Sequence, residues 1–83
     1  MKVQVKYFAS IREVVGSGAE SLETNAQTVA ALRDELIARG EGYAESLARG
    51  KAVRVALNQT LSDESAALLE GAEVAFFPPV TGG

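Results

Sequence analysis

The chain has 83 residues, of which 47% are hydrophobic and 23% charged, with a formal net charge of −3. One modest core is within reach at this length, since such a chain buries about 60% of its unfolded surface, and a negative balance without a Lys or Arg cluster excludes a nucleic-acid surface. The absence of both Cys and His excludes disulfides, thiolate nucleophiles, the usual transition-metal sites and any Ser-His or Cys-His pair.

Residues 2–8 alternate, with Val3, Val5 and Tyr7 on one face and Lys2, Gln4, Lys6 and Phe8 on the other. This reads as a half-buried strand, with Phe8 out of place on its polar face. The same N-terminus lacks the apolar region of a secretory signal, and no apolar run approaches membrane-spanning length. The expected setting is cytoplasmic, with no membrane and no nucleic-acid partner. Ser10 to Gly16 reads as a short helix, with Ser10 and Glu13 as a capping box and Gly16 in the left-handed position at its end. Residues 19–24 alternate weakly around Leu22 and form a second strand pairing back on the first.

Thr28 caps the main helix, which runs to about Arg39 with a stripe of Val29, Leu32, Leu36 and Ile37 and is ended by Gly40. Tyr43 and Leu47 share one face of a second short helix stopped by Gly50. Val53, Val55 and Leu57 alternate in a third strand. Asn58-Gln59 makes a tight turn, Thr60-Leu61 starts a short return strand, and Ser65 to Leu69 forms one helical turn closed by Glu70-Gly71. Residues 73–77 are the last strand, with Val74 and Phe76 on one face and Ala75 and Phe77 on the other.

A main helix set among strands packs across one face of a sheet and leaves the other to solvent. A right-handed crossover through it makes the flanking strands partly parallel. The predicted class is α+β: a ubiquitin-like β-grasp, with a mixed sheet of about five strands and one main helix on one face. Residues 1–83 form a single domain, with 78–83 as a flexible C-terminal tail.

Internal chemistry is sparse. The 11 carboxylates are scattered and read as solvated surface, Asp34-Glu35 on the main helix included. Gly16-Ser17-Gly18 is too short for a dinucleotide fingerprint and follows a helix. Three apolar residues resist the core: Phe8, Leu61 and Phe77. Neighbouring first and last strands bring the two rings together, and Leu61 joins them from the hairpin. Such a patch beside a tail suggests a docking surface; the alternative is that the rings pack under a loop or are isolated exposures.

The remaining candidate is Pro78-Pro79-Val80-Thr81-Gly82-Gly83. The prolines are stiff and extended. Gly82 and Gly83 leave the terminal carboxylate without a neighbouring side chain, so it fits a narrow active site that a Cβ would block. A carboxylate is a poor electrophile until activated, for example as an acyl-adenylate. Sulfide delivered to that acyl group leaves a thiocarboxylate, a good sulfur nucleophile. On this reading the chain is a carried reagent, and the catalytic groups belong to its partners.

Val5 to Glu13, Val29 to Arg33, Ala56 to Leu61 and Glu73 to Gly83 together resemble the small subunit of molybdopterin synthase, the sulfur carrier called MoaD in bacteria. The match spans nearly the whole chain in the family's order, and Glu73–Gly83 is its most specific part. Gly71-Ala72-Glu73 departs from the family's common Gly-Asp-Glu, which touches turn chemistry alone. Residues 40–52 are poorly patterned.

The resemblance implies that a MoeB-like adenylating enzyme consumes ATP to activate Gly83, and that a sulfur donor system converts it to a thiocarboxylate. No cofactor is bound by the chain itself. The tail then threads into a MoaE-like large subunit, within a heterotetramer, and gives sulfur to cyclic pyranopterin monophosphate. Phe8, Leu61 and Phe77 match the family's hydrophobic interface. Three other readings stay open: a carrier for thiamine or cysteine synthesis, a ubiquitin-like protein modifier, and a β-grasp binding module with an inert terminus.

Overall fold

The computed structural model describes residues 1–79. Strand β1 (Lys2–Tyr7) runs into helix α1 (Ala9–Val15), and β2 (Ala19–Glu23) returns antiparallel to β1, with Val3 opposite Leu22. Helices α2 (Val29–Ile37) and α3 (Glu41–Leu47) follow, then β3 (Arg54–Leu57), β4 (Thr60–Leu61) and β5 (Glu73–Phe77). The sheet has five strands in the order β2-β1-β5-β3-β4. Among the described residues, only the β1–β5 pair is parallel, with Val5 opposite Val74 and Tyr7 opposite Phe76. The predicted mixed sheet is therefore present, although the helical layer has three members.

Period-two alternation decides which face is buried. Val3, Val5 and Tyr7 of β1, Leu22 of β2, Val55 of β3 and Val74 and Phe76 of β5 point inward. They meet Ile11 of α1, Val29, Leu32 and Leu36 of α2 and Leu47 of α3. Val3, Val5, Val29, Leu32, Leu36, Leu47, Val74 and Phe76 have no measurable exposure. Each such side chain contributes about 1.5–3 kcal/mol by leaving water.

Several boundaries follow from local chemistry. Thr28 caps α2 as predicted, its side chain accepting from the Ala31 N–H at 3.2 Å. The chain then tightens, Gly40 N–H bonding the Ile37 carbonyl at 3.0 Å, and Gly40 takes φ 78°. Asn58 and Gln59 both have positive φ, 50° and 70°, the geometry of the tight hairpin turn that joins β3 to β4.

Expectations for three segments are corrected. First, Phe8 is not a strand residue: β1 ends at Tyr7, and Phe8 is the N-cap of α1. The capping box is also not made, because the helix starts at Ala9, one residue before Ser10, and no side chain caps it. Ala9 takes φ 51°, a strained value for a residue with a Cβ, and this kink swings the chain out of the sheet. Second, residues 65–69 form no helix. The segment is drawn straight along the start of α2: Val29 N–H bonds Ala66 O at 3.1 Å, Leu68 N–H bonds Gln27 O at 2.9 Å, and Ala67 bridges Thr28. Third, α3 stops at Leu47, ahead of Gly50, because Ala48 turns extended at ψ 144°.

Candidate functional site

The sheet's outer face carries two residues of the predicted patch, Leu61 and Phe77. Register places Leu61 of β4, Ala56 of β3, Ala75 of β5 and Lys6 of β1 in one row across the sheet. Phe77 and Arg54 form the next row. Phe8 is held beside the end of β5, its N–H donating to the Phe76 carbonyl at 3.2 Å. Leu61 and Phe77 therefore lie in adjacent rows of this face, and the Phe8 backbone joins the end of β5 beside them. Phe8 and Leu61 are 47% and 64% exposed, whereas Phe77 is half-buried. The face is not simply left to solvent, since small Ala75 is itself covered to 8% exposure.

Pro78 and Pro79 follow directly and are half-buried. Pro78 lines a cleft of about 120 Å³ together with Ile11 and Val14 of α1, Ser46 of α3, and Lys51 and Val53. Val80, Thr81, Gly82 and Gly83 lie outside the described residues. Among the described residues, no group of three or more acidic side chains is placed to hold a metal ion. No helix among them is long and apolar enough to cross a membrane.

Two polar networks that sequence reasoning missed hold this scaffold. Glu20 points inward on β2, in register with Val5. Its carboxylate accepts from the Tyr7 hydroxyl at 2.8 Å, the Tyr43 hydroxyl at 2.8 Å and the Arg39 guanidinium at 2.9 Å. Arg39 also lies 5.0 Å from the centre of the Tyr43 ring, within cation–π range. Burial pushes the Glu20 carboxyl up, but the hydrogen bonds from Arg39, Tyr43 and Tyr7 outweigh it and hold the group below its usual range. Burial first, and then the bond to Glu20, raises the Tyr7 and Tyr43 hydroxyls. The network ties β1 and β2 to α3 and to the turn between α2 and α3.

The second network centres on Arg33, which is 3% exposed. Its guanidinium donates to the carbonyls of Leu47 at 2.7 Å, Ala48 at 2.7 Å and Lys51 at 3.2 Å, and to Glu64 at 2.6 Å. Arg49 closes the ring, bonding Glu64 at 2.6 Å and Asp34 at 2.9 Å. The poorly patterned residues 47–51 are fixed by a side chain from α2, so the path into β3 is set by charge-assisted bonds. No local pattern announces partners this far apart; the only signal was an Arg among the apolar positions of the main helix.

A mixed sheet in this order, with helices on one face and an apolar outer end leading to Pro78-Pro79, defines the class: a ubiquitin-like β-grasp protein. The ThiS family model matches residues 5–83, and the chain belongs to that family. A molybdopterin synthase sulfur carrier subunit of Haemophilus influenzae is 44% identical over 81 residues, 98% of this chain and 99% of that one. SAMP1 of Haloferax volcanii superposes with a TM-score of 0.76 and 27% identity over all of both chains. A chain from the complex of subunits 1 and 2 of the Helicobacter pylori 26695 molybdopterin-converting factor gives a TM-score of 0.70 and 30% identity, again over all of both chains. The family resemblance read from the sequence is thereby borne out.

Proposed function

We propose that this chain is the sulfur carrier subunit of a molybdopterin synthase. The observation that carries this reading is the 44% identity to a subunit of that name over nearly the full length of both chains. The Helicobacter pylori complex of two converting-factor subunits supports a large-subunit partner.

The reagent is the carboxyl group of Gly83. A carboxylate oxygen attacks the α-phosphorus of ATP on a MoeB-like enzyme and expels pyrophosphate, leaving an acyl-adenylate. Sulfur from a donor system attacks the acyl carbon and expels AMP, leaving a thiocarboxylate. Gly82, with no side chain, lets that group enter a narrow site, and Thr81, Val80, Pro79 and Pro78 deliver it. In the large subunit its sulfur attacks a carbon of cyclic pyranopterin monophosphate and displaces the oxygen there. Water then cleaves the resulting thioester, which releases the Gly83 carboxylate and leaves the sulfur on the pterin. Two such transfers, each from one carrier chain, build the dithiolene. Phe8, Leu61 and Phe77 form the docking face, with the large subunits paired in a heterotetramer.

The test is reconstitution with the large subunit and the pyranopterin. Deleting Gly83, or adding a residue after it, abolishes sulfur transfer and leaves the melting temperature unchanged. Normal transfer by either variant would remove the mechanism. Phe77→Ala weakens binding to the large subunit by roughly 1–3 kcal/mol, as expected of a central apolar anchor; an unchanged dissociation constant would count against the docking face. The likeness to SAMP1, a small archaeal modifier protein, favours a second reading as a protein modifier. Stable lysine conjugates through Gly83, formed without any thiocarboxylate, would select it.

A further inference from the structure

The chain is acidic overall, yet the apolar end of its outer sheet face is flanked by a cation. Arg54 lies on β3 in direct register with Phe77. Side chains so paired project from the same face, within about 5.5 Å at the Cβ atoms. Arg54 is exposed, and it lines an open groove of about 460 Å³ with Val53, Leu61 and Ser62, walled by Asp63 and Glu64.

Of the other four arginines, Arg33, Arg39 and Arg49 are each committed to carboxylates within the fold, while Arg12 lies on α1, outside the groove that Arg54 lines. Among the described residues, Arg54 makes no ion pair and no side-chain hydrogen bond. The nearby acids are accounted for differently: Glu64 is neutralised by Arg33 and Arg49, and Glu73 is bonded to Lys6 at 3.3 Å. Asp63 alone shares the groove uncompensated, without reaching Arg54 within 4.0 Å. A guanidinium at the rim of an apolar patch is suited to a planar carboxylate on an approaching surface.

We propose that Arg54 is a specificity-determining residue of the docking face, pairing with an Asp or Glu side chain that the large synthase subunit presents beside its pocket for Phe77. The inference rests on the docking reading above and adds the charge chemistry of the partner. Rim charges act on association and on salt dependence more than apolar anchors do.

The test is titration calorimetry of the full chain against the purified large subunit from the same organism, at low and at high salt. It compares wild type, Arg54→Lys, Arg54→Gln, Arg54→Glu and Phe77→Ala. At low salt Arg54→Gln weakens binding roughly tenfold, Arg54→Glu weakens it further and Arg54→Lys retains most of the affinity. High salt narrows the differences among the Arg54 variants and leaves the Phe77→Ala loss in place. Thermal melts of the Arg54 variants match wild type, because the side chain is exposed. If Phe77→Ala weakens binding while Arg54→Gln and Arg54→Glu bind as wild type, the Arg54 inference is overturned and the docking face stands. Tighter binding by Arg54→Glu, or equal and salt-independent losses for Gln and Lys, also overturns it. A wild-type chain that does not bind the large subunit overturns both.

Discussion

Glu20 and Arg33 show how much of this small fold rests on single polar side chains. Glu20 gathers three donors, from β1, from α3 and from the turn between α2 and α3, and its folded pKa lies below the usual range. An unfolded glutamate titrates near 4.3. Between that value and the lower folded one, the unfolded chain holds the proton and the folded chain does not, so falling pH favours unfolding. The stabilisation is complete above about pH 4.3 and is lost as pH falls through the folded value. Glu20→Gln is expected to cost about 2–3 kcal/mol at neutral pH, as for hydrogen bonds to a charged group, and to flatten the acid limb of stability. Urea denaturation at pH 7 and along an acid series reads both effects; an unchanged midpoint and slope would show the network to be decorative. Arg33 is a different case, because its fork serves three carbonyls and a carboxylate at once. Arg33→Lys keeps the charge but cannot reach them all. It is expected to lower stability by about 2–4 kcal/mol through unpaired buried carbonyls, as read by denaturant midpoint.

Among the elements, legibility in the sequence followed locality. Strands β1, β3 and β5 were visible as alternation, and the turn at Asn58 and the Gly16 and Gly40 stops as residues suited to positive φ, although Gln59, also at positive φ, is not such a residue. What failed was decided from a distance. Alternation put Phe8 in a strand, but the Ala9 kink turns the chain into α1 first. Residues 65–69 have helix-forming side chains, yet the edge of α2 captures their backbone bonds. Of the candidate site, the shared face of Leu61 and Phe77 was legible from parity, because register preserves parity across a sheet, whereas Phe8 lies past the end of β1 and parity does not place it. Arg54 beside Phe77 was not legible, since it needs the β3–β5 register. The contact of α1 with α3 was equally hidden. A Cβ on Gly42 would overlap the Val14 carbonyl oxygen, so the two helices meet backbone to backbone. Gly42→Ala is expected to push them apart at a cost of about 1–3 kcal/mol. Thermal melting tests this, and a wild-type melting temperature would show that the helices separate freely.

As a whole molecule, on the proposed reading, the chain divides its labour between a body and a reagent. The body supplies a sheet with one apolar end, held in place by Glu20 and Arg33, and β5 aims that end toward Pro78. Neither His nor Cys is present, and the described acids are spent on ion pairs or solvent. The proposed chemistry therefore resides in one carboxyl group at Gly83, and it is activated by partners. The decisive measurement is the intact mass of the chain after incubation with the adenylating enzyme, ATP and a sulfide source. Replacement of one oxygen by one sulfur, confined to Gly83 and absent when ATP is omitted, is the expected result. An unchanged mass, with the enzyme shown to be active on another carrier, would refute the role of sulfur carrier.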